Sequence, residues 1–331
     1  MSAGGGRVLK DRSFLVTGGT GFIGSALVRA LVRAGARVRS LDSDWRGRAD
    51  RLREVIDQVE LVVGDVRDPQ AVRRAVKGVD CVCHLAAVNG TEFFYSRPEL
   101  TLEVAVKGMI NVIDACLENE VPELALASSS EVYQTPPTTP TDERAPLSIP
   151  DPWNPRYSYA GGKIISELLA INYGRSHFQR VVIFRPHNVY GPDMGSEHVI
   201  PKFALRMLEL CRQGSGPIRF PIQGTGQETR AFAYIDDAID GIARILERGE
   251  HLAIYHVGSE EEVTIEHLAK EIGRYFGREV EVVVAGAAAA GGTARRCPDI
   301  GKLRALGYQP HVSLREGLVA TLGWYAAHAA G

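Results

Sequence analysis

The stretch Phe14-Leu-Val-Thr-Gly-Gly-Thr-Gly-Phe-Ile-Gly24 constrains this chain more than any other. An apolar run, a glycine turn and an amphipathic helical pattern follow one another, so the segment reads as a strand, a tight turn and a helix. Side chains at Gly18, Gly21 or Gly24 would block either a ligand's approach to the turn or the packing of helix on strand. The helix starting near Phe22 and Ile23 aims the positive end of its dipole at whatever the turn holds. A pyrophosphate is the group such a turn accepts, so a dinucleotide is the expected ligand.

Short apolar runs alternate with helical patterns through the first half. Strands are expected over 14–17, 37–41, 61–63, 81–85, 124–128 and 181–185. Helices are expected over 22–34, 50–57, 69–76, 102–118 and 157–174. Gly35 stops the first helix, and Asp68-Pro69 is an N-cap followed by proline at the first helical position. This order implies an α/β fold, a doubly wound parallel sheet of Rossmann type with both faces covered. A smaller C-terminal substrate-binding domain follows. Residues 1–180 are the expected dinucleotide domain and 186–331 mainly the substrate domain, interleaved because strands after 181 rejoin the sheet. The proline-rich segment 134–155 reads as a surface loop. Later helices are expected over 201–211, 236–246, 264–276 and 314–326, with strands over 218–222, 253–257 and 280–284. The alanine- and glycine-rich 285–292 reads as a mobile loop.

Composition narrows the partners. The net charge of −2 comes with no long single-sign run, which excludes a nucleic-acid or anionic-membrane surface from the expectations. No apolar stretch is long enough to span a bilayer, and the N-terminus has no apolar signal region, so a cytoplasmic location is expected. Five cysteines, an odd number without metal-ligand spacing, read as reduced thiols, and no metal is expected.

Asp42 ends the second strand, 18 residues after Gly24. A carboxylate there accepts both hydroxyls of an adenine ribose and repels a 2′-phosphate, which favours NAD over NADP. Arg46, Arg48 and Arg51 follow closely and are the groups that could hold such a phosphate. Asp65, followed by Val66, ends the third strand where a carboxylate meets the adenine edge. In His84-Leu85-Ala86-Ala87 the small residues let backbone run beside the cofactor, and His84 reads as a packed strand-end histidine.

Of eleven tyrosines, only Tyr159 has lysine four residues later. Positions i and i+4 share a helix face, so Lys163 lies beside the phenol. An ammonium there lowers the phenol pKa, and tyrosinate then removes a hydroxyl proton as hydride leaves carbon. Tyr157 is a decoy, with Gly161 four residues on. The fifth strand ends in Ser128-Ser-Ser-Glu-Val-Tyr133, with hydroxyls where parallel sheets bind ligands. Glu131 is either a structural carboxylate or an acid/base for a second proton.

Together these pieces resemble the extended short-chain dehydrogenase/reductase family, in its nucleotide-sugar epimerase/dehydratase branch. The resemblance adds Arg185-Pro-His-Asn-Val-Tyr-Gly-Pro192, Gly224-Thr-Gly-Gln-Glu-Thr-Arg-Ala-Phe-Ala-Tyr-Ile-Asp-Asp237 and Arg295-Arg-Cys-Pro-Asp-Ile-Gly-Lys302. It implies Ser129 as the holder of the reacting hydroxyl, Tyr159 as base and Lys163 as its partner. Ser130 and Asn188 are implied at the sugar or its phosphate, and Arg230 and Arg296 as the diphosphate clamp. It further implies a homodimer joined by the helices over 102–118 and 157–174. Four positions depart from the pattern. Ala105 stands where asparagine is common and Gln134 where glycine is usual. Gly161-Gly162 interrupts the Tyr/Lys helix at a cost of about 1 kcal/mol per glycine against alanine.

The resemblance implies an enzyme that oxidises C4 of a nucleoside-diphosphate sugar. A 4-epimerase is the leading expectation, since Ser128-Ser-Ser130 resembles the epimerases. A 4,6-dehydratase, 3,5-epimerase or decarboxylase using Glu131 is the alternative. An NADP-linked ketone or aldehyde reductase is more remote, because it needs no diphosphate clamp. A redox-sensing binding protein is also remote, because such proteins commonly lose the Tyr/Lys pair.

Overall fold

The computed structural model describes residues 6–286 and 293–328. Most of the segment 285–292 lies outside the described residues. The first half runs β1 (Ser13–Thr17), α1 (Phe22–Arg33), β2 (Arg37–Asp42), β3 (Val59–Val63), α2 (Pro69–Val76) and β4 (Cys81–His84). It continues through α3 (Thr91–Ser96), α4 (Pro98–Glu118), β5 (Glu123–Ala127), α5 (Ser158–His177) and β6 (Arg180–Pro186). The second half runs β7 (Val189–Tyr190), α6 (Val199–Gln213), β8 (Ile218–Ile222), β9 (Thr229–Ala231), β10 (Ala233–Tyr234) and α7 (Ile235–Arg248). Then come β11 (Ala253–Val257), β12 (Glu262–Thr264), α8 (Ile265–Tyr275), β13 (Val280–Val284), β14 (Arg295–Arg296), α9 (Gly301–Arg304) and α10 (Leu314–His328).

Seven parallel strands form one sheet in the order β11-β6-β5-β4-β1-β2-β3. Side-chain alternation explains why their sequences are apolar throughout: Phe14 and Val16 enter the core on one face, and Leu15 enters the core on the other. Cys81 and Cys83 share the first face while Val82 points to the second. α1 and α7 cover one side; α2, α4 and α5 cover the other. A third core gathers α6, β8, α8 and α10 into a smaller body. The chain leaves β1 toward β2 and β3, then restarts at β4 in the opposite direction. Their carboxyl ends therefore flank a topological switch point, where open α/β sheets bind ligands.

Local chemistry accounts for the element ends. The Asp68 carboxylate accepts from Gln70 N at 2.9 Å and Pro69 opens α2. Gly35, at φ +81°, turns the chain out of α1. A Cβ on Gly162 would lie 2.7 Å from the Ala105 Cβ, so the two departures at these positions are one feature, a close crossing of α4 and α5. The expected helix over 50–57 is instead two short 3₁₀ turns, Ala49–Leu52 and Ile56–Gln58. Arg51 is drawn across to Asp193, at 2.8 Å, and to the Thr20 carbonyl, and the segment follows it. Among the described residues no helix is long and apolar enough to cross a membrane.

Candidate active site

A groove of about 690 Å³ opens at the carboxyl ends of β1, β2 and β4. Gly18, at φ +71°, presses so close to β4 that a Cβ would sit 2.9 Å from Ala86 N. A Cβ on Gly24 would meet the Gly18 carbonyl carbon at 2.8 Å, which lets α1 start against the turn. Gly21 is the N-cap of α1 and offers no side-chain cap, leaving the first N–H groups around Phe22 and Ile23 facing the groove. An uncapped helix start behind a glycine turn fits the pyrophosphate of a dinucleotide. Leu85, Ala86 and Ala87 form the opposite wall, held by Thr17 Oγ1, which accepts from Leu85 N and Ala86 N at 3.2 Å each. His84 is packed beneath, 2.8 Å from Thr17 Oγ1, and burial pushes its pKa down to about 3.

Asp42 reaches the groove from β2 and accepts from Thr20 N and Asp44 N, each at 3.1 Å. Asp65 and Val66 also line it. The Asp65 carboxylate is engaged by Arg67, 2.7 Å away, whose hydrogen bonds hold its pKa below the usual range. The three arginines after β2 face carboxylates of the smaller body. Arg46 pairs with Glu197 at 2.9 Å, Arg48 with Asp193 at 2.5 Å, and Arg51 with the same Asp193. These ion pairs link the segment after β2 to the smaller body.

On the other side of the groove lie the chemical groups. Ser129 caps the 3₁₀ turn that follows β5, its hydroxyl accepting from Glu131 N at 3.2 Å. Tyr159 is buried on the first turn of α5, its ring stacked on Phe94 at 5.1 Å. Lys163 donates to the Ala127 carbonyl at 2.7 Å, with Nζ 5.8 Å from the Tyr159 ring centroid. Burial pushes Tyr159 up to about 12, opposed by the Ser129 hydroxyl. Burial also lowers Lys163 to about 8, opposed by the charge of Glu167. Burial is the largest influence on the phenol here, while the Lys163 ammonium donates to the β5 carbonyl.

A second space of about 830 Å³ lies in the smaller body and shares Glu131, Asn188 and Arg296 with the groove. The Glu131 carboxylate accepts from Arg296. Burial pushes its pKa up, but Arg296, Arg156 and Arg230 together bring it below the usual range. Ser130 is buried beside it. Asn188 donates to the Ala231 carbonyl at 2.9 Å. Arg230 stands apart from the groove in the second space, anchored on the Thr229 and Thr293 carbonyls at 2.6 Å each, and burial lowers its pKa to about 10. Arg156 and His198 also line both spaces, and neither belongs to a motif that the sequence reading used.

Sheet order, glycine turn and Tyr/Lys helix define a Rossmann-type, NAD-dependent oxidoreductive enzyme. The chain belongs to the NAD dependent epimerase/dehydratase family, whose model matches residues 14–258. It is 30% identical over 325 residues to a UDP-N-acetyl-alpha-D-glucosaminuronate decarboxylase of Bacillus cytotoxicus, covering 94% of this chain and 97% of that one. The dTDP-glucose 4,6-dehydratase of Streptomyces venezuelae, solved with NAD bound, superposes with a TM-score of 0.84 at 32% identity, over 96% of this chain and 98% of that one. The UDP-glucose 4-epimerase of Thermus thermophilus, in complex with NAD, gives 0.82 at 29% identity, over 95% and 99%. Three reactions are thus represented among its relatives.

Proposed function

We propose that the chain oxidises the C4 hydroxyl of a nucleoside-diphosphate sugar, with Tyr159 as base. The observation that carries this reading is the meeting of Ser129, Tyr159 and Lys163 at the groove, beside a space walled by Glu131, Asn188 and Arg296. Gly18, Gly21, Gly24 and the start of α1 hold the pyrophosphate of NAD, and Asp42 the adenine ribose. Bound NAD supplies a ring that takes and returns hydride, and a positive charge beside the phenol. Ser129 holds the reacting hydroxyl while Tyr159, as tyrosinate, takes its proton. Lys163 sits against the nicotinamide ribose. Arg230 and Arg296 offer planar forks to the diphosphate, and Ser130 and Asn188 contact the sugar.

A 4-keto sugar is the branch point. Return of hydride to its other face gives the 4-epimer and needs no further residue, which is the reading we favour from the serine run Ser128–Ser130. One observation favours a second reading. The guanidiniums of Arg296, Arg156 and Arg230 favour the charged form of Glu131 at the space proposed for the sugar, and a ketone labilises the bonds of the adjacent carbon. Dehydration would need a proton donor for the departing hydroxyl, and a serine at 130 is a poor acid. Decarboxylation has no hydroxyl to protonate: the electron pair of the broken C–C bond enters the enolate of the C4 ketone and C5 then takes a proton, and the Bacillus cytotoxicus relative bears that activity in its name.

The deciding experiment runs Glu131→Gln and the parent protein on a panel of sugar nucleotides and reads product mass. Epimerisation leaves mass unchanged and survives the substitution. Loss of carbon dioxide or water that disappears with Glu131→Gln supports the second reading. Tyr159→Phe stops turnover and keeps NAD bound; full activity in that variant refutes the base assignment.

The assembly we propose is a homodimer through α4 and α5, where Leu102, Ile110, Ile165 and Leu168 are exposed apolar residues without a neighbour to cover them. The setting we propose is the cytoplasm, whose reducing conditions suit five unpaired thiols.

A further inference from the structure

We infer that Phe94 is the positioning residue of Tyr159: its ring holds the phenol at the angle that proton transfer needs and keeps water from one face of it. The inference rests on Tyr159 as the base, and its test separates the two. The rings of Phe94 and Tyr159 lie nearly parallel, 17° apart, with centroids 5.1 Å from each other. Stacking of this kind is an arrangement that aromatic pairs favour. Both side chains border the groove. Phe94 is 6% exposed and Tyr159 7%, yet neither belongs to any of the three hydrophobic cores. The burial of Phe94 is therefore explained by the base it lies against and not by the packing of helices on the sheet.

The fold fixes Phe94 in this place. α3 is six residues long, too short to be stable by itself. It packs on the 3₁₀ turn Pro155–Tyr157, which runs straight into α5. Successive residues of a helix point about 100° apart, so Phe93 and Phe94 face different neighbours. Phe93 meets the Trp45 ring edge to face at 5.1 Å and the Arg46 guanidinium at 4.9 Å. Arg46 in turn pairs with Glu197 at 2.9 Å and donates to the Asn89 carbonyl, just before α3. The segment after β2, the smaller body and α5 thus meet at α3, and Phe94 is the residue by which α3 stacks on the base.

Tyr159 takes a proton through an oxygen at the far end of a ring that turns about two side-chain bonds. A flat apolar neighbour closes off rotations that would swing this oxygen away from Ser129. A displacement of about 1 Å in a reacting group can cost on the order of 100-fold in rate. The same neighbour supplies part of the burial that raises the phenol pKa to about 12. Three other groups act on the phenol: the Ser129 hydroxyl after β5, which lowers its pKa, the charge of Glu131, which raises it, and Lys163 on α5, 5.8 Å from the ring centroid. Phe94 carries no charge, so replacing it alters cover and angle alone.

The test uses the NAD-loaded protein and three variants. Phe94→Leu keeps an apolar side chain and loses the plane, Phe94→Ala also admits water, and Phe94→Tyr keeps the plane. Turnover is read with UDP-glucose, UDP-glucuronate and dTDP-glucose as probes. The phenol is titrated by its tyrosinate absorbance, taken as the difference from Tyr159→Phe. Phe94→Leu should lower kcat by about 10- to 100-fold while KM and NAD affinity change by less than about 3-fold, the signature of a displaced base. Phe94→Ala should lower kcat as far and also weaken the hold of the phenol on its proton by about 10-fold. Phe94→Tyr should bring kcat back to within about 3-fold of the parent. Parental kcat in Phe94→Leu, or a Phe94→Tyr no better than Phe94→Leu, overturns the inference, and an inactive Tyr159→Phe leaves the base in place. Variants that lose thermal stability but keep both kcat and the titration overturn it too, since they reduce Phe94 to a folding role. An active Tyr159→Phe removes the base and this inference with it. Where no probe is turned over, the titration decides, and an unmoved phenol in Phe94→Ala overturns the inference. Phe94→Met, unbranched and of similar volume, takes the place of Phe94→Leu if that variant does not fold.

Discussion

Removing the carboxylate of Glu167 should destabilise the protein by about 3–5 kcal/mol, the usual consequence of leaving one member of a buried ion pair alone. Glu167 lies on α5, one turn after Lys163, and meets Arg185 of β6 at 2.8 and 2.5 Å. Both side chains are 2% exposed. Arg185 also donates to the Tyr133 hydroxyl and to the Glu143 carbonyl, so it cannot turn to water when its partner goes. With total stability of typically 5–15 kcal/mol, Glu167→Ala should visibly lower the urea midpoint read by circular dichroism. The compensated double variant Glu167→Leu with Arg185→Met removes both charges. It should lose only the Tyr133 and Glu143 bonds, about 1 kcal/mol each, and recover much of the loss. A second readout follows from Lys163, whose pKa the charge of Glu167 raises against burial. In Glu167→Ala, Lys163 should lose its proton at lower pH, and the alkaline limb of the activity profile should move down with it. A single variant within about 1 kcal/mol of the parent, or a double variant no better than the single one, would refute the reasoning.

Other outcomes follow from the same geometry. Gly24→Ala forces a Cβ to 2.8 Å from the Gly18 carbonyl carbon, a backbone clash that should cost about 1–3 kcal/mol and displace NAD, as measured by calorimetric titration; unchanged NAD affinity would sink the cradle. Asp193→Asn cuts the ion pairs at Arg48 and Arg51 and should speed NAD release about 10-fold, equivalent to about 1.4 kcal/mol, followed by fluorescence after dilution. Leu168→Glu on α5 should convert the proposed dimer to monomer in light scattering; an unchanged mass would place any interface elsewhere. Lys163 titrates at about 8 when folded against 10.5 as a free side chain, so the unfolded chain binds more protons between those values. Its contribution to stability should therefore rise with pH across that window, and the slope should shrink in Lys163→Met.

Much of the architecture is legible in the sequence because the strands are buried on both faces and bounded by turns. The strands over 218–222, 253–257 and 280–284 and the helix over 69–76 have the expected limits. What the pattern does not carry is structure made by contacts far along the chain. α3, with the sequence Thr-Glu-Phe-Phe-Tyr-Ser, has no helical periodicity. Its two phenylalanine rings are held by Trp45, Arg46 and Tyr159. The segment 50–57 reads as a helix until Arg51 finds Asp193, 142 residues away. At the site, the Tyr/Lys spacing and the glycine turn are visible because one local element supplies each. Arg156 is not, since its meaning comes from the two spaces it borders. The phenol pKa escapes the sequence for a related reason: spacing reveals a neighbouring cation but not the depth of burial that opposes it.

The interleaving of the chain carries a consequence for modularity. β6 and β11 are adjacent in the main sheet, yet α6 and β8 of the smaller core lie between them in sequence. α8 and β13 follow β11, and α9 then returns to the core of the large body before α10 leaves it again. The two bodies are stitched by several covalent crossings instead of one linker. A single cut in the chain therefore does not separate one body from the other.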